Sequence, residues 1–131
     1  MAKNVSSMLN VKWFLGIPFN DNVNWRLTIA EEGQQILGDH LLGLQAANEP
    51  DFYVQFGRRQ APYGPADYYR EVGELLSVME TNPKITNPHM LIAPSISNQN
   101  EGWSAQDVFA TGLLETYRDS LYAVTVEQCV T

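Results

Sequence analysis

The chain has 131 residues, 8 Lys plus Arg against 15 Asp plus Glu, a formal charge of -7 and a pI near 4.6, with 44% hydrophobic and 18% charged residues. That length holds one ordinary core and that composition is globular rather than disordered, while so acidic a surface repels nucleic-acid phosphates and anionic membranes alike. Cys129 is the single cysteine, which excludes an intrachain disulfide and a CxxC metal or redox site, and no apolar run approaches the roughly 18 residues of a membrane span.

The first seven residues hold one basic side chain and no apolar stretch of the kind a secretion signal needs, so the chain as written is expected to stay in the cytoplasm. Val11 to Phe19 is β-rich and mostly apolar, the pattern of a strand buried on both faces, and it ends in the turn cluster Asn20-Asp21-Asn22. Thr28 with Glu31 three residues on predicts a capping box for a helix over Ile29 to Leu37 that closes at Gly38. Leu41 to Ala47 is the second strand. It stops abruptly in Asn48-Glu49-Pro50-Asp51, where the proline cannot donate to a ladder and biases Glu49 towards extended backbone.

A long aromatic and basic connection, Phe52 to Gly64, follows. Pro65 suits a first helical turn, and Tyr68, Tyr69, Val72, Leu75, Leu76 and Met79 recur on one helical face until Asn82-Pro83 stops the pattern. Met90 to Ile96 is the third strand, with Pro94 near its carboxyl end, and Ser97 to Gly102 is a loop. Ser104 with Asp107 starts a third helix whose inward face runs through Val108, Phe109, Gly112, Leu113, Thr116 and Tyr117, and Leu121 to Glu127 is the fourth strand. The order β-α-β-α-β-α-β implies an α/β fold with a parallel sheet, either a small open sheet or about half of a (β/α)8 TIM barrel, which needs about 250 residues when complete. Residues 1–131 are read as one unit.

Glu49 is the sharpest candidate for chemistry, because parallel α/β folds carry their reacting groups at the carboxyl ends of strands. Its surroundings, GLQAANEPDFY, then Arg58-Arg59, Tyr63, Asp67-Tyr68, IAPSIS, GWS and YAVTVEQ, resemble glycoside hydrolase family 79, the heparanase and fungal β-glucuronidase family, from about Asn10 to the end of the chain. The resemblance implies barrel strands three to six of a catalytic domain that hydrolyses O-glycosyl bonds with retention. In it Glu49 is the general acid/base and Asn48 bonds the sugar 2-hydroxyl. It implies a glucuronate-containing carbohydrate as substrate, no cofactor and no metal, and an extracellular place for the full-length family.

The same resemblance puts the attacking carboxylate on a later strand, beyond Thr131, so the chain is expected to be a fragment that is inactive alone. Two departures bear on the sugar site: Gly16-Ile17-Pro18 stands where relatives carry Gly-Leu-Asn, and Gln128-Cys129 stands where they carry His-Tyr.

Around Glu49 several residues have two readings each. Arg58 and Arg59 could hold a uronate carboxylate with their guanidinium forks or be solvated loop arginines, and Tyr53, Phe56 and Tyr63 could offer faces for a sugar or pack the loop onto the rim. Trp103 reads as a loop anchor before a platform, Asp51 as a turn or capping residue, and Glu127 as a neighbour of the site before a second carboxylate. His40 and His89 precede strands, at the end opposite Glu49. Two further functions stay open: a non-catalytic carbohydrate-binding module using the aromatic loop, and a half-barrel that forms a homo-oligomer through open sheet edges.

Overall fold

A computed structural model of the chain describes residues 2–97 and 102–127. Part of the loop expected after the third strand, and the Gln128-Cys129 pair, lie outside the described residues. The sheet has four strands, β1 (Trp13–Ile17), β2 (Leu41–Ala46), β3 (Leu91–Ile96) and β4 (Leu121–Val126), in the order β1-β2-β3-β4 with every pairing parallel. Parallel neighbours need crossover connections, and helices supply them.

Among the described residues there are five α-helices rather than three: α1 (Ala2–Leu9), α2 (Thr28–Leu37), α3 (Pro65–Thr81), α4 (Ala105–Phe109) and α5 (Leu113–Tyr117). α1 has no sequence signal beyond its composition, and eight residues are too few to hold a helix alone. Its buried Ser6 accepts a hydrogen bond from Trp13 Nε1 at 2.6 Å, which ties it to β1. The third expected helix divides at Gly112, whose φ of 83° only glycine adopts cheaply. The Ser104 and Asp107 box forms as expected, with Ser104 N donating to Asp107 Oδ2 at 2.8 Å and Asp107 N donating to Ser104 Oγ at 3.2 Å. The box expected at Thr28 does not form, because Thr28 is already helical and Glu31 turns instead to Asn82 Nδ2 at 2.8 Å and Lys84.

One core joins Leu44, Leu91 and Ala93 of the sheet to Ala30 and Leu37 of α2, Val72, Leu75 and Met79 of α3, and Val108 and Leu113. Full burial of each such leucine contributes about 1.5–3 kcal/mol. Helix α2 comes close to β1 at Gly33, where a Cβ would stand 2.5 Å from Leu15 Cδ1.

β1 is not buried on both faces. Its exposure alternates, with Leu15 against α2 and Phe14 54% exposed, because a strand is covered twice only when both of its sheet faces find a layer. β4 alternates in the same way, and β1 and β4 each pair on one side only among the described residues. Yet Phe14 of β1 and Tyr122 of β4 have ring centroids 6.2 Å apart. Three spacings of about 4.8 Å would hold edge strands roughly 14 Å apart in a flat sheet, so the sheet is curled and the two rings meet on its concave side. Among the described residues no helix is long and apolar enough to cross a membrane.

Candidate functional site at the carboxyl rim

β2 ends in a backbone that few residues adopt. Ala47 has φ 81° and Glu49 has φ 47°, and Ser95, near the end of neighbouring β3, has φ 51°. Three of the four non-glycine residues with positive φ among the described residues therefore crowd the carboxyl ends of two adjacent strands. Glu49 was expected to be extended because it precedes Pro50. Tertiary bonding overrides that local preference, since Glu49 N donates to Ser95 O at 2.8 Å and Glu49 O receives Phe52 N at 3.1 Å, opening a short 3-10 turn over Pro50–Phe52. Left-handed backbone costs a non-glycine residue about 1–2 kcal/mol and collects at functional positions. The Glu49 carboxylate makes no hydrogen bond among the described residues and is partly exposed.

The neighbours of Glu49 are fixed. Asp51 is buried and accepts from Ser97 N at 3.1 Å and from Ser97 Oγ, so it anchors the turn. Tyr68 of α3, fully buried, donates its hydroxyl to Ala46 O at 2.7 Å. Asn48 is exposed, and its Oδ1 accepts from Gln45 Nε2 at 3.5 Å.

Gln45 also donates to Glu127 Oε1, so a polar chain Asn48, Gln45, Glu127 runs across the rim from β2 to the end of β4. Burial pushes the Glu127 carboxyl above the ordinary glutamate value, the Gln45 bond opposes this, and the carboxylates of Glu49 and Asp51 push further upward. A raised native value means that the protonated form is favoured by folding. Its stabilisation is complete below the ordinary glutamate range and fades as pH rises through the raised value. In a carboxyl-detected NMR titration Glu127 should lose its proton at higher pH than a free glutamate, and Glu49→Gln should bring its midpoint down. An unmoved midpoint in that variant would show the two groups to be uncoupled.

The basic and aromatic loop divides in two. Arg58 is exposed and donates to Asn20 Oδ1, while Arg59 is turned inward. Arg59 Nε donates to Glu71 Oε1 at 2.8 Å, its Nη2 reaches Glu71 Oε2 at 3.1 Å and Phe19 O at 2.6 Å, and its guanidinium lies 5.4 Å and 5.6 Å from the ring centroids of Tyr53 and Tyr63. Tyr63 OH and Asn22 Nδ2 complete the shell of Glu71 at 2.9 Å and 2.7 Å. Burial pushes the Tyr63 hydroxyl far above its ordinary range, and Glu71 adds to that.

Tyr53 is buried, stacked on Tyr63 at 5.9 Å, and Trp103 packs against Tyr63 and Tyr68, which leaves Phe56 as the exposed ring of the loop. Glu71, only 1% exposed, escaped the sequence reading. Its signal was a charge at helical spacing from Tyr68 and Leu75 on an otherwise apolar stripe.

His40 and His89 stand at the amino ends of β2 and β3, where His89 Nδ1 meets Ser120 Oγ at 2.8 Å and His40 Nδ1 is buried without a hydrogen-bond partner among the described residues. No group of three His, Cys, Asp or Glu among the described residues could hold a metal ion. A hollow of about 510 Å³ lies between α2 and the loop after α3, lined by Glu31, Gln34, Lys84 and Thr86, none of them a rim residue. Comparison with protein-family models, with curated proteins and with solved structures found no match to this chain.

Proposed function

We propose that the chain is a four-stranded sector of a (β/α)8 barrel of the β-glucuronidase and heparanase kind, family 79, with Glu49 as the general acid/base and Asn48 as the group that meets the sugar 2-hydroxyl. The observation that carries this reading is the crowding of left-handed backbone at Ala47, Glu49 and Ser95 around a carboxylate with no hydrogen bond among the described residues. A turn selected for stability alone would place glycine or asparagine there. The curl of the sheet and its four sequential parallel strands support the barrel half of the reading. The ligand is a glucuronate-containing carbohydrate. Arg58, exposed and tethered to Asn20 Oδ1, is the cation for its carboxylate, because Arg59 is committed to Glu71.

The chemistry asks Glu49 to give a proton to the departing glycosidic oxygen and then to take one from water, while a second, ionised carboxylate about 5–5.5 Å away attacks the anomeric carbon. Glu127 is not that second group: the resemblance puts the attacking carboxylate on a later strand, and Glu127 Oε1 already accepts from Gln45 Nε2.

The 131-residue chain should therefore release no aglycone from an aryl β-glucuronide. Turnover that disappears in Glu49→Gln would overturn the claim of inactivity. A glucuronate-containing oligosaccharide at millimolar concentration should nonetheless shift the backbone NMR signals of Asn48 and Glu49. An unchanged spectrum would remove the glycosidase reading itself. The burial of Tyr53 and the stacking of the part-buried Tyr63 against it speak against a separate binding module built on that loop.

A further inference from the structure

Gln45 stands on β2 between Gly16 of β1 and Ile92 of β3. Its neighbours in the strand, Leu44 and Ala46, are fully buried in the core. Alternation therefore turns Gln45 to the opposite, concave face, which it shares with Phe14 through the Phe14–Gly43 and Gly16–Gln45 pairs. Gly16 brings no side chain, and a Cβ built there would meet nothing within 4 Å, so the space on the β1 side of Gln45 is open. On the other side Ile92 leans across Gly43, where a Cβ would stand 2.6 Å from Ile92 Cδ1.

A glutamine amide carries both of its hydrogens on one nitrogen, and here both are directed. Nε2 donates to Glu127 Oε1 and to Asn48 Oδ1, the second at 3.5 Å. Glu127 Oε1 is an acceptor, so it selects the nitrogen end of the Gln45 amide. That nitrogen in turn holds the oxygen end of Asn48, which leaves Asn48 Nδ2 facing away from Gln45. Asn48 is exposed, and its Oδ1 has no other donor among the described residues. The length of the 3.5 Å bond suits an unliganded site, where such bonds tighten only when a ligand arrives.

We propose that Gln45 is a positioning residue of the sugar site: its amide, oriented by Glu127, turns the Asn48 amide so that Nδ2 is the atom offered to the oxygen of the sugar 2-hydroxyl. The inference rests on the role given to Asn48 under the proposed function.

The test compares the 131-residue chain with Gln45→Met, Glu127→Ala and Glu127→Gln. Each is titrated with a glucuronate-terminated disaccharide and with its analogue lacking the glucuronate 2-hydroxyl, and Kd is read from the backbone NMR shifts of Asn48 and Glu49. Gln45→Met keeps the length of the stem and removes the donors. It should weaken the disaccharide about tenfold and leave the 2-deoxy analogue within about twofold of the parent. Glu127→Ala should weaken the disaccharide severalfold, and Glu127→Gln, whose amide oxygen still accepts, should restore it. If Gln45→Met fails to fold by far-UV circular dichroism, the two Glu127 variants decide. A parent that binds while Gln45→Met binds equally well overturns the inference and leaves Asn48 and Glu49 in their roles. A loss of equal size for both sugars overturns it too, since a merely structural effect would not single out the 2-hydroxyl. A parent that binds neither sugar fails the glycosidase reading itself and takes the inference with it.

Discussion

Glu71→Ala should destabilise the chain by about 3–5 kcal/mol, because it leaves the guanidinium of Arg59 in a nearly dry pocket without its carboxylate. Glu71 is 1% exposed and the Arg59 side chain 11%, so water cannot take the place of the lost charge. The substitution also strips partners from Asn22 and Tyr63. Three segments meet at this one carboxylate: the loop after β1, the loop after β2, and α3. Against a total stability of about 5–15 kcal/mol such a loss is large, and a midpoint lowered by roughly 10–20 °C is expected.

The pair Arg59→Met with Glu71→Met should cost much less than Glu71→Ala, since no charge is then stranded. Urea unfolding of the three chains measures the difference. A Glu71→Ala chain within about 1 kcal/mol of the parent would mean that the pocket admits water after all.

Tyr68→Ala should cost about 3–5 kcal/mol and Tyr68→Phe about 1–3 kcal/mol, the first for an unfilled cavity and the second for an unsatisfied carbonyl. The ring is fully buried, with centroids 6.1 Å from Phe19 and 5.8 Å from Trp103, so removing it opens space among three elements at once. The phenylalanine variant keeps the packing and leaves Ala46 O without its 2.7 Å donor. Ala46 is the last residue of β2, and the left-handed turn at Ala47 to Glu49 starts from it. Backbone NMR signals of Asn48 and Glu49 should therefore move in Tyr68→Phe. Equal stability of Tyr68→Phe and the parent would show that Ala46 O finds another partner.

Much of the architecture could be read from local patterns. The stripe Tyr68, Val72, Leu75, Leu76 and Met79 is α3, the Ser104 and Asp107 box is α4, and the alternation of strands with helices is the parallel sheet. What could not be read depends on partners distant in the chain. β1 reads as doubly buried because its letters are apolar, but exposure on its Phe14 side is decided by what lies opposite.

Glu49 reads as extended because of Pro50, but a carbonyl 46 positions later, at Ser95, holds it elsewhere. Arg59 reads either as a ligand-binding cation or as a solvated loop arginine because it leaves the rim, and its own chain claims it through Glu71, a residue hidden in plain view within the α3 stripe. Glu127 gains its meaning only from Gln45, 82 positions away.

Ser95 and Ile96 accept the backbone N–H groups of Glu49 and Glu127 respectively, at 2.8 Å and 2.7 Å. The two glutamates are thus slung from consecutive rungs of the same central strand, one to each side. Their spacing answers to two interstrand steps of about 4.8 Å and to the twist of the sheet, rather than to the length of any connecting segment. Insertions or deletions in the surrounding loops can reshape the mouth of the rim without altering the gauge between its acids, whereas a one-residue slip of β3 would carry both away together.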